Sequence, residues 1–143
     1  MASNMKNVLF GGDIAGSMIS HATLAVLRVV VGLSIAFGHG LGKLPPPSSF
    51  VKIVAALNFP MPELFAWAAG MSEFVGGLLL AVGLMTRPAA ATLVVTMAVA
   101  FFGHHADDPF KARELSMLFG AAALCFAGTG SGRFGLDRII NRM

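Results

Sequence analysis

The sequence predicts an all-α fold, an integral membrane four-helix transmembrane bundle. Three observations predict it. Of the 143 residues, 56% are hydrophobic and only 12% are charged, whereas soluble domains carry about a quarter charged residues. Four long runs are almost free of charge. These runs are rich in Ala, Leu and Met and lack the in-and-out alternation of barrel strands. So short a chain cannot hide this much apolar surface within itself. The excess must face lipid, where helices satisfy their own backbone.

Each element can be justified in turn. Residues 1–21 contain no apolar run long enough for a secretory signal and are expected to form a cytoplasmic lead-in. The first span is expected over about 22–42, broken only by Arg28 and His39. Pro45, Pro46 and Pro47 end it, and Pro60 and Pro62 prepare entry to the second span, about 64–85, whose one charge is Glu73. Thr86-Arg87-Pro88 is a tight turn into the third span, about 88–105, closed by His104 and His105. A polar link leads to the fourth, about 113–132, uncharged from Leu115 onward. Each run is near the roughly 20 helical residues that cross about 30 Å of hydrocarbon. Residues 133–143 form a short basic tail, with an interfacial helix expected from Leu136. No internal repeat or second domain is expected.

An even number of spans puts both termini on one side. Lys6, Arg87, Arg133, Arg138 and Arg142 fall on that side, and Lys43, Lys52, Lys111 and Arg113 on the other. The excess, five against four, is small and favours termini on the cytoplasmic side. The lone cysteine, Cys125, excludes an internal disulfide or a CxxC pair. A formal charge of +3 from scattered basic residues excludes nucleic acid as a partner.

Ionisable groups inside hydrocarbon are costly and face the bundle interior, so function is sought there. Arg28 and His39 share one face of the first span. Glu73 lies on a small-residue face with Ala66, Ala69, Gly70, Gly76 and Gly77, suited to close helix contact. The helical rise places Arg28 about 9 Å and Glu73 about 18 Å from the inner boundary. A pair between them is expected, either as a clasp or as a proton-carrying or ligand-binding group. A second cluster is expected at the outer mouth, from His39, His104 and Glu114 with Lys43 beside them. Such a mixture suits a transition metal at His39 and His104, haem, or proton transfer to a quinone. No dense metal-binding spacing such as HExxH narrows the choice. His104 is expected to face inward along the stripe of Met97 and Ala100. Glu114 is expected to face inward with Met117, Ala121 and Cys125, the thiol serving only packing.

Arg28 with Gly32, then His39-Gly40-Leu41-Gly42-Lys43-Leu44, resembles the first span and loop of the DoxX family. So does Glu73 with Gly76-Gly77-Leu78-Leu79-Leu80, followed by Gly83-Leu84 and Thr86-Arg87-Pro88-Ala89-Ala90. Glu114 and the closing Gly135-Leu136-Asp137 add to a likeness over roughly residues 22–138. The resemblance implies a small four-span bacterial inner-membrane protein, in a family named for likeness to a respiratory subunit linked to quinone and thiosulfate oxidation. The single cysteine departs from any thiol-redox version. Two functions are therefore expected. One is a quinone-linked or otherwise redox-associated membrane subunit, with Glu73, Glu114 and Arg28 as catalytic groups, Glu73 the proton relay, and His39, His104 and Lys43 binding the ligand, whose head group Glu114 also helps to hold. The other is a non-catalytic scaffold or anchor of a larger complex. Its partners are the lipid bilayer and a redox protein or further copies of the chain. The cofactor is left open among quinone, haem and a transition metal.

Overall fold

In a computed structural model, residues 18–142 are described, and no strand occurs among them. The lead-in expected over 1–21 lies outside the described residues until Met18, which is already helical. Helix α1 runs Met18–Ile35, widens into a π turn at Ala36–Gly40 and tightens into a 3-10 turn at Leu41–Lys43. Helix α2 is Ser48–Ala56. Helix α3 runs Pro62–Met71, passes through a π turn at Ser72–Gly76 and ends as Gly77–Val82. Helix α4 is Thr86–Val99 with a closing π turn at Ala100–His104. Helix α5 is Phe110–Thr129 and α6 is Leu136–Arg142.

Three of these, Met18–Lys43, Pro62–Val82 and Thr86–His104, are long and apolar enough to cross a membrane. Helix α5 has 20 residues, but Lys111, Arg113 and Glu114 at its start lower its mean hydropathy. It completes the bundle all the same. Its contact with α4 is the most extensive among the described residues, and it also touches α1. All four long helices contribute to one core of Val31, Ile35, Leu80, Ala90, Leu93, Ala123 and Phe126.

Glycine sets how closely α1 and α3 approach. A Cβ on Gly32 would lie 2.5 Å from the carbonyl oxygen of Gly77, and one on Gly77 would lie 2.7 Å from that of Gly32. Two turns further along α1, a Cβ on Gly40 would strike the backbone of Glu73 and Phe74. Gly83 ends α3 at φ +73°, where Leu84 N–H donates to the carbonyl of Leu79 at 3.0 Å, a Schellman closure.

Residues 43–63, expected as a connector, hold the additional helix α2. It starts directly after Pro47, which fits a proline just ahead of a helix. The end of α1 reaches only as far along α3 as Gly70, where an added Cβ would touch Lys43 O and Leu44. The first turns of α3 therefore extend beyond α1, and α2 packs against them.

Candidate functional site

The chemistry gathers where the first two π turns meet. Glu73 sits in the α3 π turn and is 2% exposed. Its Oε1 and Oε2 accept hydrogen bonds from Lys43 Nζ at 2.7 and 2.6 Å. The ammonium also lies 5.1 Å from the centroid of the Phe50 ring on α2. Thus α1 delivers the lysine, α3 the carboxylate and α2 an aromatic cover. A π turn breaks the regular helical hydrogen-bond ladder, and such turns are frequent at functional sites.

Beside the pair runs a cleft of about 1020 Å³, whose lining includes His39, Lys43, Glu73, Thr96, His104 and Phe119. Most of its remaining wall is apolar, from α2, α3 and α4. The His39 ring meets Phe119 edge-on, with centroids 5.5 Å apart. Thr96 Oγ1 donates to Ser72 Oγ at 3.0 Å, bridging α4 to the α3 π turn.

The expected Arg28–Glu73 pair does not form. Arg28 is buried, but its Nη1 donates to Leu80 O at 3.0 Å and its Nη2 to Phe134 O at 3.3 Å. Because α1 stops at the level of Gly70, Lys43 reaches Glu73 instead, and Arg28 lies over the end of α3. The guanidinium covers Gly83, where a Cβ would collide with it. Asp137 completes this second polar knot. Its Oδ1 accepts from Met85 N–H at 2.6 Å and its Oδ2 from Thr86 N–H at 3.0 Å, while its own N–H donates to Gly83 O at 2.8 Å. Sequence reasoning missed this role, although a signal was present. Helix α4 has Met85 at its N-cap position, with no side-chain oxygen to accept the free N–H groups. The acceptor therefore had to come from elsewhere in the chain.

Two further expectations are corrected. Glu114 is exposed, as are Met117, Ala121 and Cys125 on its stripe, while Ala123 and Phe126 face the core. In lipid, apolar character does not tell an inward face from an outward one. His104 is exposed although Met97 on its stripe is buried. The π turn at Ala100–His104 falls between them, and its wider winding breaks the 3.6-residue stripe. The His104 ring lies 4.3 Å from that of His105, whose Nδ1 is 2.7 Å from Asp108 Oδ2. His39 and His104 line the same cleft, but His39 meets Phe119 and His104 meets His105. Among the described residues no three His, Cys, Asp or Glu side chains gather to hold a metal ion.

The DoxX family model matches residues 23–106, more than half of the chain, covering α1 to α4 and both members of the Lys43–Glu73 pair. The chain belongs to the DoxX family. An uncharacterized Haemophilus influenzae protein is 36% identical over 122 residues, covering 80% of this chain and 87% of that protein. The "Inner membrane protein YphA" of Escherichia coli is 32% identical over 124 residues, covering 80% of this chain and 88% of its own. The "Putative oxidoreductase CatD" of Bacillus subtilis is 28% identical over 116 residues, covering 80% and 84% of the two chains. No solved structure matches. This DoxX protein is therefore a multi-pass membrane protein whose long apolar helices contact the bilayer.

Proposed function

We propose that this DoxX protein is a redox-associated membrane subunit that holds the headgroup of a quinone-type carrier beside Lys43 and Glu73. The observation that supports it most is a buried carboxylate in a π turn, Glu73, held by the part-buried Lys43 on the wall of a large and mainly apolar cleft. Ligand pockets of this kind are mostly apolar, with a few polar groups that fix orientation. Charges at membrane depth are costly and mark substrate or proton paths. The cleft lining runs from Met85 and Pro88 to His104 along α4, about 24 Å at the helical rise. That length suits a headgroup with a long apolar tail. In this reading the Lys43 ammonium donates to a carbonyl oxygen of the carrier. When the carrier is bound as the quinol, Glu73 receives the proton of one hydroxyl and the proton of the second passes on the His39 side to water, so two protons leave with the two electrons. The electrons pass to a partner protein. The printed name of CatD, an oxidoreductase, is in keeping with this class of function.

The test is extraction and mass spectrometry of the lipids that copurify with the full chain, beside Lys43→Met and Glu73→Gln. Quinone near one per chain in the wild type, reduced about tenfold or more in folded variants, is the expected result. A quinone-free wild type that also fails to bind added quinone in lipid nanodiscs overturns the reading.

A second reading, a non-catalytic anchor, is favoured by the outward face of α5. Ala121, Cys125 and Gly128 are small and exposed there, which suits close contact with a partner's helix. Large substitutions at these positions that release a copurifying subunit and leave quinone content unchanged would support it.

A further inference from the structure

The two ends of the bundle carry unlike charge. Among the described residues, the end where α4 begins holds Arg28, Arg87, Arg133, Arg138 and Arg142 against one carboxylate, Asp137, for a net +4. The opposite end holds Lys52, Lys111 and Arg113 against Glu63, Asp107, Asp108 and Glu114, for a net −1, the Lys43–Glu73 pair within the bundle adding nothing. Asp137 is fully buried and committed to Met85 and Thr86. The basic end therefore shows no exposed acid among the described residues.

Helix α6 is the outermost part of that end. Leu136, Ile139 and Arg142, each three residues apart, form a face turned away from Asp137, and all three are exposed. Phe134 and Arg133 are exposed just ahead of it. The level of this face follows from α4. The 19 residues of Thr86–His104 rise about 28 Å, close to the roughly 30 Å hydrocarbon thickness. Asp137 ties α6 to the first residues of α4, so α6 lies where headgroups begin.

We propose that the Leu136–Ile139–Arg142 face of α6, with Arg133 and Phe134, docks on the anionic phospholipid headgroups of one leaflet. The apolar side chains enter the headgroup boundary and the arginines meet phosphate, as in amphipathic interfacial helices. Because Asp137 also caps α4, lipid contact steadies the start of that span.

The experiment is hydrogen exchange on the full chain in nanodiscs of phosphatidylcholine alone or mixed with phosphatidylglycerol. The anionic lipid is expected to slow exchange over residues 133–142 by about fivefold for each arginine engaged. The gain should vanish at high salt and in the Arg133→Gln/Arg142→Gln double variant, with exchange in the core of α4 unchanged. Equal exchange in the two discs overturns the proposal, as does a gain that survives salt or the double variant. The wild-type comparison between lipids stands by itself if the variant folds poorly.

Discussion

Glu73 and Lys43 illustrate how an expensive pair of charges is kept at membrane depth. Each carboxylate oxygen accepts from the same ammonium, and the carboxylate is 2% exposed. Removing one partner from such a pair leaves a buried charge without compensation, at a cost of about 3–5 kcal/mol. Replacing both with apolar groups of similar size is about neutral. Lys43→Met, which strands the buried carboxylate, is thus expected to destabilise by about 3 kcal/mol, Glu73→Leu by less because the Lys43 side chain is 28% exposed, and the double variant to recover most of the Lys43→Met loss in a detergent unfolding titration. A double variant that is stable but binds no quinone would separate function from clasp. Additive losses would show instead that the pair is not coupled. Asp137 carries a different load. Asp137→Ala removes the acceptor of two helix-start N–H groups and should cost about 2 kcal/mol, with faster amide exchange at Met85 and Thr86. Unchanged exchange there would contradict its capping role.

At the scale of the element, the contact between α1 and α3 depends on what glycine leaves out. Backbone meets backbone at Gly32 and Gly77, whereas nothing lies within 4 Å of a Cβ built on Gly38 or Gly42. Gly32→Ala and Gly77→Ala should each cost about 1–3 kcal/mol by forcing the helices apart. Gly38→Ala and Gly42→Ala should be neutral or slightly stabilising, since alanine loses less chain entropy. Thermal unfolding of the four variants checks the contrast, and a uniform effect across them would remove the packing argument. The same elements show what was legible in the sequence. Long apolar runs and prolines marked the four long helices, because crossing a bilayer constrains helix length and composition. The small-residue face around Glu73 pointed to a close helix contact, which α1 supplies. What was not legible was rotation and register. The π turns at Ala36–Gly40, Ser72–Gly76 and Ala100–His104 leave no pattern in composition, and the last of them takes His104 off the buried stripe of Met97 to an exposed place on the cleft. The outward face of Glu114 was hidden for a related reason, since lipid and core both select apolar neighbours.

For the whole molecule, the charge asymmetry bears on how the bundle sits in the membrane. With an even number of spans the sequence alone would put five basic residues on the side of the termini and four on the other, a narrow margin by that measure alone. Orientation follows Lys and Arg near the span ends, with acids contributing little. The same arginines are placed for a second effect, because Arg133 and Arg142 are exposed at headgroup level. We propose that insertion and lipid contact together hold this end in the cytoplasm. Changing Arg87, Arg133 and Arg142 to glutamine reverses the basic count to two against four. That triple variant is expected to insert in both orientations, whereas the wild type inserts in one. Labelling a cysteine placed after Arg142 with a membrane-impermeant maleimide, in intact cells and in inverted vesicles and with Cys125 replaced by serine, measures the split. Wild-type labelling confined to inverted vesicles, with triple-variant labelling in both preparations, is the expected pattern. A triple variant that keeps the wild-type pattern would show that the apolar helices and their packing, not the arginines, decide the orientation.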